Sequence, residues 1–412
     1  MRMMKIASKV AQLIAVGIGV LLCVLWLDHS RETTLPTLTG PFAVGRTTCV
    51  WSDTGEGAPL APQLNGGREL LAWIWYPAAP QQPSQSVVDY LPAQWRTAVE
   101  RQRGPIITHL ITRNLSRVRA HSLRDASVSP QQSSYPVILM RAGLAALTTD
   151  YTSLAEDLAS HGYVVVAFDA PYRSSVVVLP DGRVITRAPQ YNADLISGPQ
   201  REQLASKLAE AWSADTSFAL DQLQRLNASD PSGRFLNRLD MQRVGVFGHS
   251  LGGATALLFC HDDARCKAGI DLDGEPFGSA VGEGVTQPFM FLLSDHGGES
   301  GADSLRIDAN IRSIYDHLPS SGRLRITIRG ASHFRFSDDG ALLKIPLVLS
   351  AMHKLGIVRL DGRRQLEVTT HCVSAFFDEY LKGAPVSNFN SQPEYPEIEC
   401  FQCNRQMDGN QK

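Results

Sequence analysis

The sequence carries almost no net charge. Lys and Arg together number 39 and Asp and Glu 41, which leaves a formal charge of −2 at pH 7. Acidic and basic residues are interspersed, and the short basic run at residues 117–119 is typical of a solvated surface. The sequence therefore has no basic region of the kind that nucleic-acid binding requires, and nucleic acid is not an expected partner.

Cysteine is scarce, with seven residues in 412. Cys400 and Cys403 form the one C-x-x-C in the sequence, and no histidine accompanies them, so a zinc site is not expected. We predict neither a metal nor any other cofactor. Cys260 and Cys266, like Cys400 and Cys403, are close enough in sequence to pair if the chain is exported to an oxidising compartment.

One long uncharged run is present near the N-terminus, at residues 10–27, and three basic residues precede it. The run is long enough to cross a bilayer, and the basic residues favour holding the N-terminus in the cytoplasm. No small-x-small cleavage site follows, so we predict an uncleaved signal anchor and tether over residues 1–36. The remainder is then exported, to the periplasm or the cell exterior. A removed signal peptide, a lipoprotein at Cys23 and a buried core helix are the alternatives.

The most informative motif is Gly248-His-Ser-Leu-Gly252. The β-branched and aromatic run Val244–Phe247 precedes it and predicts a buried strand, whereas Ala254–Phe259 has the composition of a helix. A G-x-S-x-G turn between a strand and a helix forces its central residue, here Ser250, into a strained conformation that exposes the hydroxyl. The Leu251 amide then points at the position of an oxyanion. A Gly-rich turn of the Rossmann type is the structural alternative.

Strand-like and helix-like segments alternate around this motif. Two strand-like runs near residues 40–51 and 69–77 predict an antiparallel opening. Further on, the alternation predicts a mostly parallel sheet with helices on both faces, in one domain at residues 37–383. We expect an insertion at about 78–135 and a polar tail at 384–412. We also predict amphipathic helices over residues 105–119 and 369–381. Further predicted helices are Tyr151–His161 and Gln203–Leu226. Further predicted strands are Pro136–Met140, Tyr163–Phe168, Lys267–Leu272, Pro288–Leu293 and Leu324–Ile328.

A serine hydroxyl needs a base and an orienting acid before it can attack a carbonyl group. In chain order the acid precedes the histidine, and His333 lies just after the last strand-like run. Asp273 and Asp295 each end a strand, and the spacing leaves both open as the acid; Asp271 is a candidate support. The other downstream histidines are His296, His317, His353 and His371, of which the last three lie in helical context.

Several short motifs resemble those of one known family. From Gly40 to about Gly383 the chain is similar to the secreted and plasma-type platelet-activating-factor acetylhydrolases, in motifs that share order and spacing. They are Gly40–Gly45, Asp157–Tyr163, the G-x-S-x-G turn (here called the elbow), Leu272–Gly274 and Arg329–His333. The resemblance implies a single-domain α/β-hydrolase fold that needs no metal and cleaves short or oxidised acyl groups from phospholipids.

The resemblance also implies roles for particular residues. That family takes its acid from the strand immediately after the elbow, which favours Asp273 over Asp295. It places a second oxyanion amide at the position of Leu144, where the preceding His-Gly pair of the family is replaced by Ala142 and a glycine. Arg141 at the same rim is a departure that we expect to influence substrate choice.

These observations predict a serine ester hydrolase that acts through an acyl-enzyme on a short-chain acyl ester of phospholipid type. The catalytic residues are Ser250, Asp273 and His333, and the oxyanion-hole amides are those of Leu144 and Leu251. The partners are an ester substrate and a membrane, contacted through the N-terminal helix. An esterase for a polyester or other non-lipid ester and a non-catalytic, membrane-tethered scaffold are the alternative hypotheses.

Overall fold

The structure is a computed structural model. It describes residues 2–53, 60, 67–80, 86–296, 301–343, 360–387, 389 and 392–401. His353 and Cys403, named above, lie outside these residues.

Strands are distributed along the described chain from Thr33 to Cys400. Long apolar stretches form the central ones, since a strand covered by helices on both faces exposes neither row of side chains to water. The strands are β1 (Thr33–Thr34), β2 (Ala43–Asp53), β3 (Arg68–Ala78), β4 (Val87–Asp89), β5 (Val118–Arg124), β6 (Tyr135–Arg141), β7 (Val164–Asp169), β8 (Val176–Val178), β9 (Val184–Thr186), β10 (Leu239–His249), β11 (Cys266–Leu272), β12 (Phe289–Leu293), β13 (Arg323–Ile328) and β14 (Ile398–Cys400).

The α-helices alternate with the later strands. They are α1 (Arg2–His29), α2 (Ala93–Pro105), α3 (Thr152–Ser160), α4 (Pro199–Ala228), α5 (Leu251–Asp262), α6 (Ala280–Glu283), α7 (Ala302–His317), α8 (Asp339–Leu342) and α9 (Gly362–Lys382). A π-helical turn, Ile106–Ile111, follows α2.

One twisted sheet organises the molecule. Its strand order is β1-β5-β2-β3-β7-β6-β10-β11-β12-β13-β14, with β4 paired to β5, while β8 and β9 form a separate ribbon. The six strands from β7 to β13 in that order are mutually parallel, and β3 and β14 flank them antiparallel. The predicted mostly parallel sheet, with its antiparallel opening, is therefore confirmed.

Two apolar layers cover the two faces of the sheet. Alternate residues of β6 enter opposite layers: Ile138 and Met140 pack with α3 and α9, and Val137 and Leu139 pack with α4, α5 and α7. All four side chains are fully buried. This covering of both faces leaves the ends of the strands as the places where polar side chains can meet a ligand.

Two predicted helices differ from the observed ones. The predicted helix over 105–119 is wrong: the α-helix in this region is α2, which lies earlier, and β5 begins at Val118. Gly104 has a φ of 78° and Pro105 follows it, so regular helix geometry ends there. The predicted helix over 369–381 is instead the longer α9, because the Asp361 side chain accepts hydrogen bonds from the amides of Arg363 and Arg364 and starts the helix two turns earlier.

The N-terminal helix projects from the body. Its segment Ser8–His29 is long and apolar enough to cross a membrane, and none of it is buried, so it is not a core helix. The helix is nevertheless fastened at its end, because Asp28 pairs with Arg113 at 3.3 Å.

Strands lie beyond both predicted domain boundaries. The predicted body begins at residue 37, but β1 and the buried side chain of Leu35 lie before it. After Gly383, β14 pairs with β13 at the far edge of the sheet. The boundaries themselves remain predictions, but the segments on their outer sides contribute to the sheet.

Candidate active site

The sharp turn between β10 and α5 carries Ser250. Its φ of 56° and ψ of −123° are strained for a residue with a side chain. A Cβ atom on Gly248 would lie 2.1 Å from the carbonyl oxygen of Gly252, and one on Gly252 would lie 2.3 Å from that of Arg141. Only glycine therefore fits at these two positions, two residues before and two residues after the serine. The Ser250 amide donates to the Leu272 carbonyl at 2.9 Å, which ties the turn to the end of β11.

The end of β11 brings an acid beside the serine. His249 and Leu272 are direct partners in the parallel β10–β11 pair, so Ser250 and Asp273 leave the sheet side by side. Asp273 Oδ2 lies 2.7 Å from Nδ1 of His333, which follows β13. Two of the three predicted catalytic side chains are thus hydrogen-bonded, and the third lies next to this pair at the same edge of the sheet.

Four contacts hold the Asp273 carboxylate. The Ser294 amide donates to Oδ1 at 2.9 Å and its hydroxyl to Oδ2 at 2.7 Å. The rings of His333 and His296 supply the other two. Burial alone raises the pKa of Asp273, but the hydrogen bonds from His296 and His333 outweigh it and hold that pKa well below its ordinary value. The carboxylate is therefore ionised and able to accept a proton-bearing nitrogen.

Asp295 occupies a different place. Its Oδ2 accepts a hydrogen bond from the Gly330 amide at 2.8 Å, and its own amide donates to the Ala331 carbonyl at 3.1 Å. These bonds fasten the base of the loop that carries His333. The structure thus brings Asp273, and not Asp295, to the imidazole.

Asp271 lies beneath the turn in the apolar interior. Its Oδ1 accepts from the Gly274 amide at 2.7 Å, and a Cβ atom on Gly253 would lie 1.8 Å from the same oxygen. Burial raises the pKa of Asp271 well above its ordinary value, and the negative charge of Asp273 adds to this effect. Asp271 therefore supports the loop after Asp273 through this hydrogen bond and takes no part in the contact with His333.

A buried tyrosine joins the serine turn to the loop after β6. Tyr151 Oη lies 2.7 Å from His249 Nδ1, and the Gly143 amide donates to the same oxygen at 3.3 Å. The His249 ring also lies against that of His333, with centroids 4.5 Å apart. Burial lowers the pKa of His249 to about 3, and neighbouring His333 contributes. His249 is therefore neutral at physiological pH and is a packing partner of His333.

The predicted oxyanion amides flank this arrangement. A Cβ atom on Gly143 would lie 3.5 Å from Ser250 Cβ, so the segment that leads to Leu144 lies directly against the serine turn. Leu251 is the first residue of α5, where the backbone amides of a helix point outward at its positive end.

The expectation for Arg141 is wrong. Its side chain is 2% exposed and turned into the interior, where Nη1 donates to the Phe168 carbonyl at 2.7 Å. The guanidinium lies 4.0 Å from the centre of the Phe168 ring and 4.7 Å from that of Trp212. Arg141 therefore packs the core and does not present its charge to a substrate at the rim.

Three contacts around the acid and the turn were not predicted from the sequence, those of His296, Ser294 and Tyr151. The first two follow β12 directly, and β12 is the neighbour of β11 in the sheet. Their position at the end of an adjacent parallel strand was the signal available in the sequence. No comparable signal marks Tyr151, because its contact with His249 spans 98 residues.

The model of the family described as platelet-activating factor acetylhydrolase, isoform II, matches residues 27–183 and 221–395. The chain belongs to this family. The resemblance inferred from the sequence motifs is thereby confirmed.

Relatives in this family share modest identity with the chain. The platelet-activating factor acetylhydrolase of Canis lupus familiaris is 27% identical over 222 residues, which are 50% of this chain and 48% of that protein. This chain thus spans about half the length of that relative. The protein of the same name from Cavia porcellus is 24% identical over 387 residues, 87% of this chain and 80% of that one.

A solved structure shares the architecture. The ferulic acid esterase from Streptomyces cinnamoneus superposes with a TM-score of 0.72 at 25% identity, covering 90% of this chain and 100% of that one. The predicted α/β-hydrolase fold is confirmed.

Proposed function

We propose that this family member is a serine carboxylic ester hydrolase in which Ser250, His333 and Asp273 form the catalytic triad. The observation that carries the proposal is the 2.7 Å contact between Asp273 Oδ2 and His333 Nδ1 beside a strained serine. Since an ionised carboxylate accepts hydrogen bonds, Nδ1 of His333 carries the proton and Nε2 is left as the base.

The reaction proceeds in two acyl-transfer steps. Nε2 of His333 removes the proton from Ser250 Oγ as that oxygen attacks the ester carbonyl carbon. The resulting imidazolium is stabilised by Asp273, and the backbone amides of Leu144 and Leu251 hold the negative carbonyl oxygen. His333 then protonates the departing alcohol. Water attacks the acyl-enzyme by the same route, which releases the acid and restores Ser250.

For the substrate we propose a short-chain acyl ester of phospholipid type. The relatives named as platelet-activating factor acetylhydrolases support this class, and the exposed Phe334 directly after His333 offers an apolar surface near the proposed base. A non-lipid ester is the second candidate. The likeness to a ferulic acid esterase across the whole length of that chain supports it.

We further propose that α1 anchors the enzyme in a membrane with the catalytic body outside the cytoplasm. Three observations support this location: the segment Ser8–His29 of α1 is unburied, basic residues precede its apolar run, and Cys260 and Cys266 form a disulfide. Disulfides persist in oxidising compartments outside the cytosol.

The decisive assay compares the wild-type enzyme and Ser250→Ala on three substrates: p-nitrophenyl esters of increasing acyl length, a 1-alkyl-2-acetyl phospholipid, and methyl ferulate. We expect the wild type to hydrolyse short p-nitrophenyl esters and the acetyl phospholipid, and the variant to lose about 10⁶-fold in kcat. Preference for methyl ferulate favours the non-lipid candidate. Undiminished hydrolysis by the variant contradicts the triad, and absence of wild-type turnover favours the non-catalytic scaffold.

A further inference from the structure

The proposed catalytic acid is shared by two imidazole rings. His333 Nδ1 lies 2.7 Å from Oδ2 of Asp273, and His296 Nε2 lies 3.1 Å from Oδ1. The second ring also lies 3.3 Å from the hydroxyl of Ser294, which itself donates to Asp273. A Ser-His-Asp triad needs only one histidine on its acid, so the presence of His296 requires its own explanation.

The two rings differ in their access to water. The Asp273 side chain is 2% exposed, whereas that of His296 is 54% exposed and covers Oδ1 from the outside. His296 lies three residues after the end of β12, which pairs with β11, so the ends of these two strands bring the ring close to the acid.

The charge state of Asp273 fixes which ring atoms carry protons. Because the carboxylate is an acceptor, His296 must donate from Nε2, which both its neutral and its protonated forms can do. Protonation of this exposed ring therefore keeps the hydrogen bond and adds a positive charge on the far side of the carboxylate from His333. The polar groups in contact with the ring include Asp273 and Ser294, and His333 lies across the carboxylate. The carboxylate of Asp295 accepts a hydrogen bond from the Gly330 amide.

We propose that His296 is a positioning residue that holds Asp273 and adjusts, with pH, how strongly this acid supports His333. The inference rests on the proposed triad. His296 shields Oδ1 from water and fixes the carboxylate in the plane that His333 requires. When His296 is protonated, it competes for the same negative charge that favours protonation of His333, so His333 remains a free base to lower pH than it would in a triad with one histidine.

Two substitutions separate the functions of the ring. His296→Gln keeps a donor but cannot titrate, and His296→Phe keeps the cover but donates nothing. His317→Gln is the matched control, since this exposed histidine at the end of α7 bonds to the Ser313 carbonyl on its own helix and lies outside the site.

The test measures kcat and KM for p-nitrophenyl acetate from pH 4.5 to 9, and the downfield imidazole N–H resonance by proton NMR, assigned by its loss in His333→Gln. In His296→Phe we expect kcat to fall about tenfold at neutral pH with KM unchanged, and in His296→Gln to fall less. In both variants the acid limb of kcat/KM moves to higher pH by about half a unit or more, because a positive neighbour has been removed. The resonance also shifts in both, and the control matches the wild type in every readout.

The inference is overturned if the wild type hydrolyses the ester while both His296 variants retain its kcat, its acid limb and its downfield resonance. It is also overturned if His317→Gln moves the acid limb as far as the His296 variants do. Failure of the triad itself looks different, because Ser250→Ala then retains activity or the wild type has none. The NMR readout reports the coupling of the two rings in either case, since it needs no turnover.

Discussion

At the scale of single residues, the two aspartates that follow neighbouring strands have different roles. Asp273→Asn should lower kcat by about 10³- to 10⁴-fold, because an amide in place of the acceptor favours the wrong tautomer of His333. Asp295→Asn is the matched control: it loosens the Gly330 turn and should cost less than about tenfold. Steady-state kinetics on an acetyl ester checks both. Equal losses, or a larger loss in Asp295→Asn, would exchange the two roles.

A second residue-scale prediction concerns the buried His249. Its pKa is lowered to about 3 by burial, against about 6.5 in the unfolded chain. Between these values the unfolded state binds a proton that the folded state does not. The stability that neutral His249 contributes is therefore present above pH 6.5 and is lost as pH falls toward 3, by at most about 1.4 kcal/mol per pH unit.

The comparison of wild type with His249→Gln isolates this contribution, because other buried acids such as Asp169 titrate in both proteins. Denaturant unfolding between pH 4 and 8 should give a wild-type free energy of unfolding that falls more steeply toward acid than that of the variant. Parallel curves would show that His249 is not held neutral by burial.

Some residues of the candidate site could be predicted from the sequence and others could not. Ser250 was identifiable because its strain arises within five neighbouring residues, where a Cβ atom on Gly248 would lie 2.1 Å from the Gly252 carbonyl oxygen. The contact of Asp273 with His333 spans 60 residues and depends on which strands are neighbours. For that reason, residue spacing alone could not decide whether Asp273 or Asp295 is the acid that contacts His333. The direction of the Arg141 side chain was not readable either, since β6 is covered on both faces.

At the scale of elements, a disulfide joins the end of α5 to the start of β11. Cys260 and Cys266 close a short loop next to the strand that ends at Asp273. Removing it with Cys260→Ser and Cys266→Ser together should lower the free energy of unfolding by about 2 kcal/mol, as expected for a loop of this size. Ester hydrolysis should persist, because the bond lies at the opposite end of β11 from the acid.

Thermal unfolding and kcat measured on the same samples check this prediction. Cys49→Ser, at a half-buried cysteine without a disulfide, is the control and should leave the Tm close to that of the wild type. A large loss of kcat with unchanged Tm would mean that the disulfide acts on the site and not on stability.

The elements that sequence patterns predicted well are the central strands, which helices cover on both faces. The parallel strands are rich in apolar residues, so β6, β7, β11, β12 and β13 matched within one or two residues. The region before β5 was misread because Gly104 and Pro105 interrupt an otherwise periodic pattern. The start of α9 was missed because its first turn is polar and depends on the Asp361 cap.

At the scale of the whole molecule, the chain should tolerate removal of α1 but not of the segment that follows it. Deleting residues 2–27 removes unburied helix and should give a soluble protein with unchanged kcat on p-nitrophenyl acetate. Deleting residues 2–35 also removes β1 and the buried Leu35, and should lower the Tm by several degrees. Membrane fractionation and thermal unfolding distinguish the two. A soluble full-length protein would contradict the proposed anchor.

The strand order of the sheet was the part of the fold least accessible from the sequence. Alternating strands and helices predict a parallel sheet, but not that β1 and β5 extend one edge and β14 closes the other. These edge pairings join segments far apart in the chain, such as Ile326 with Cys400. Short strands in polar segments give little periodicity to detect.

If His333 and Asp273 make Ser250 nucleophilic, this serine reacts rapidly with a fluorophosphonate. Intact mass and peptide mapping should show one adduct, on Ser250. The rate of labelling should fall by orders of magnitude in Asp273→Asn and remain near that of the wild type in Asp295→Asn. An adduct on another residue, or equal labelling rates in wild type and Asp273→Asn, would show that Asp273 and His333 do not activate Ser250.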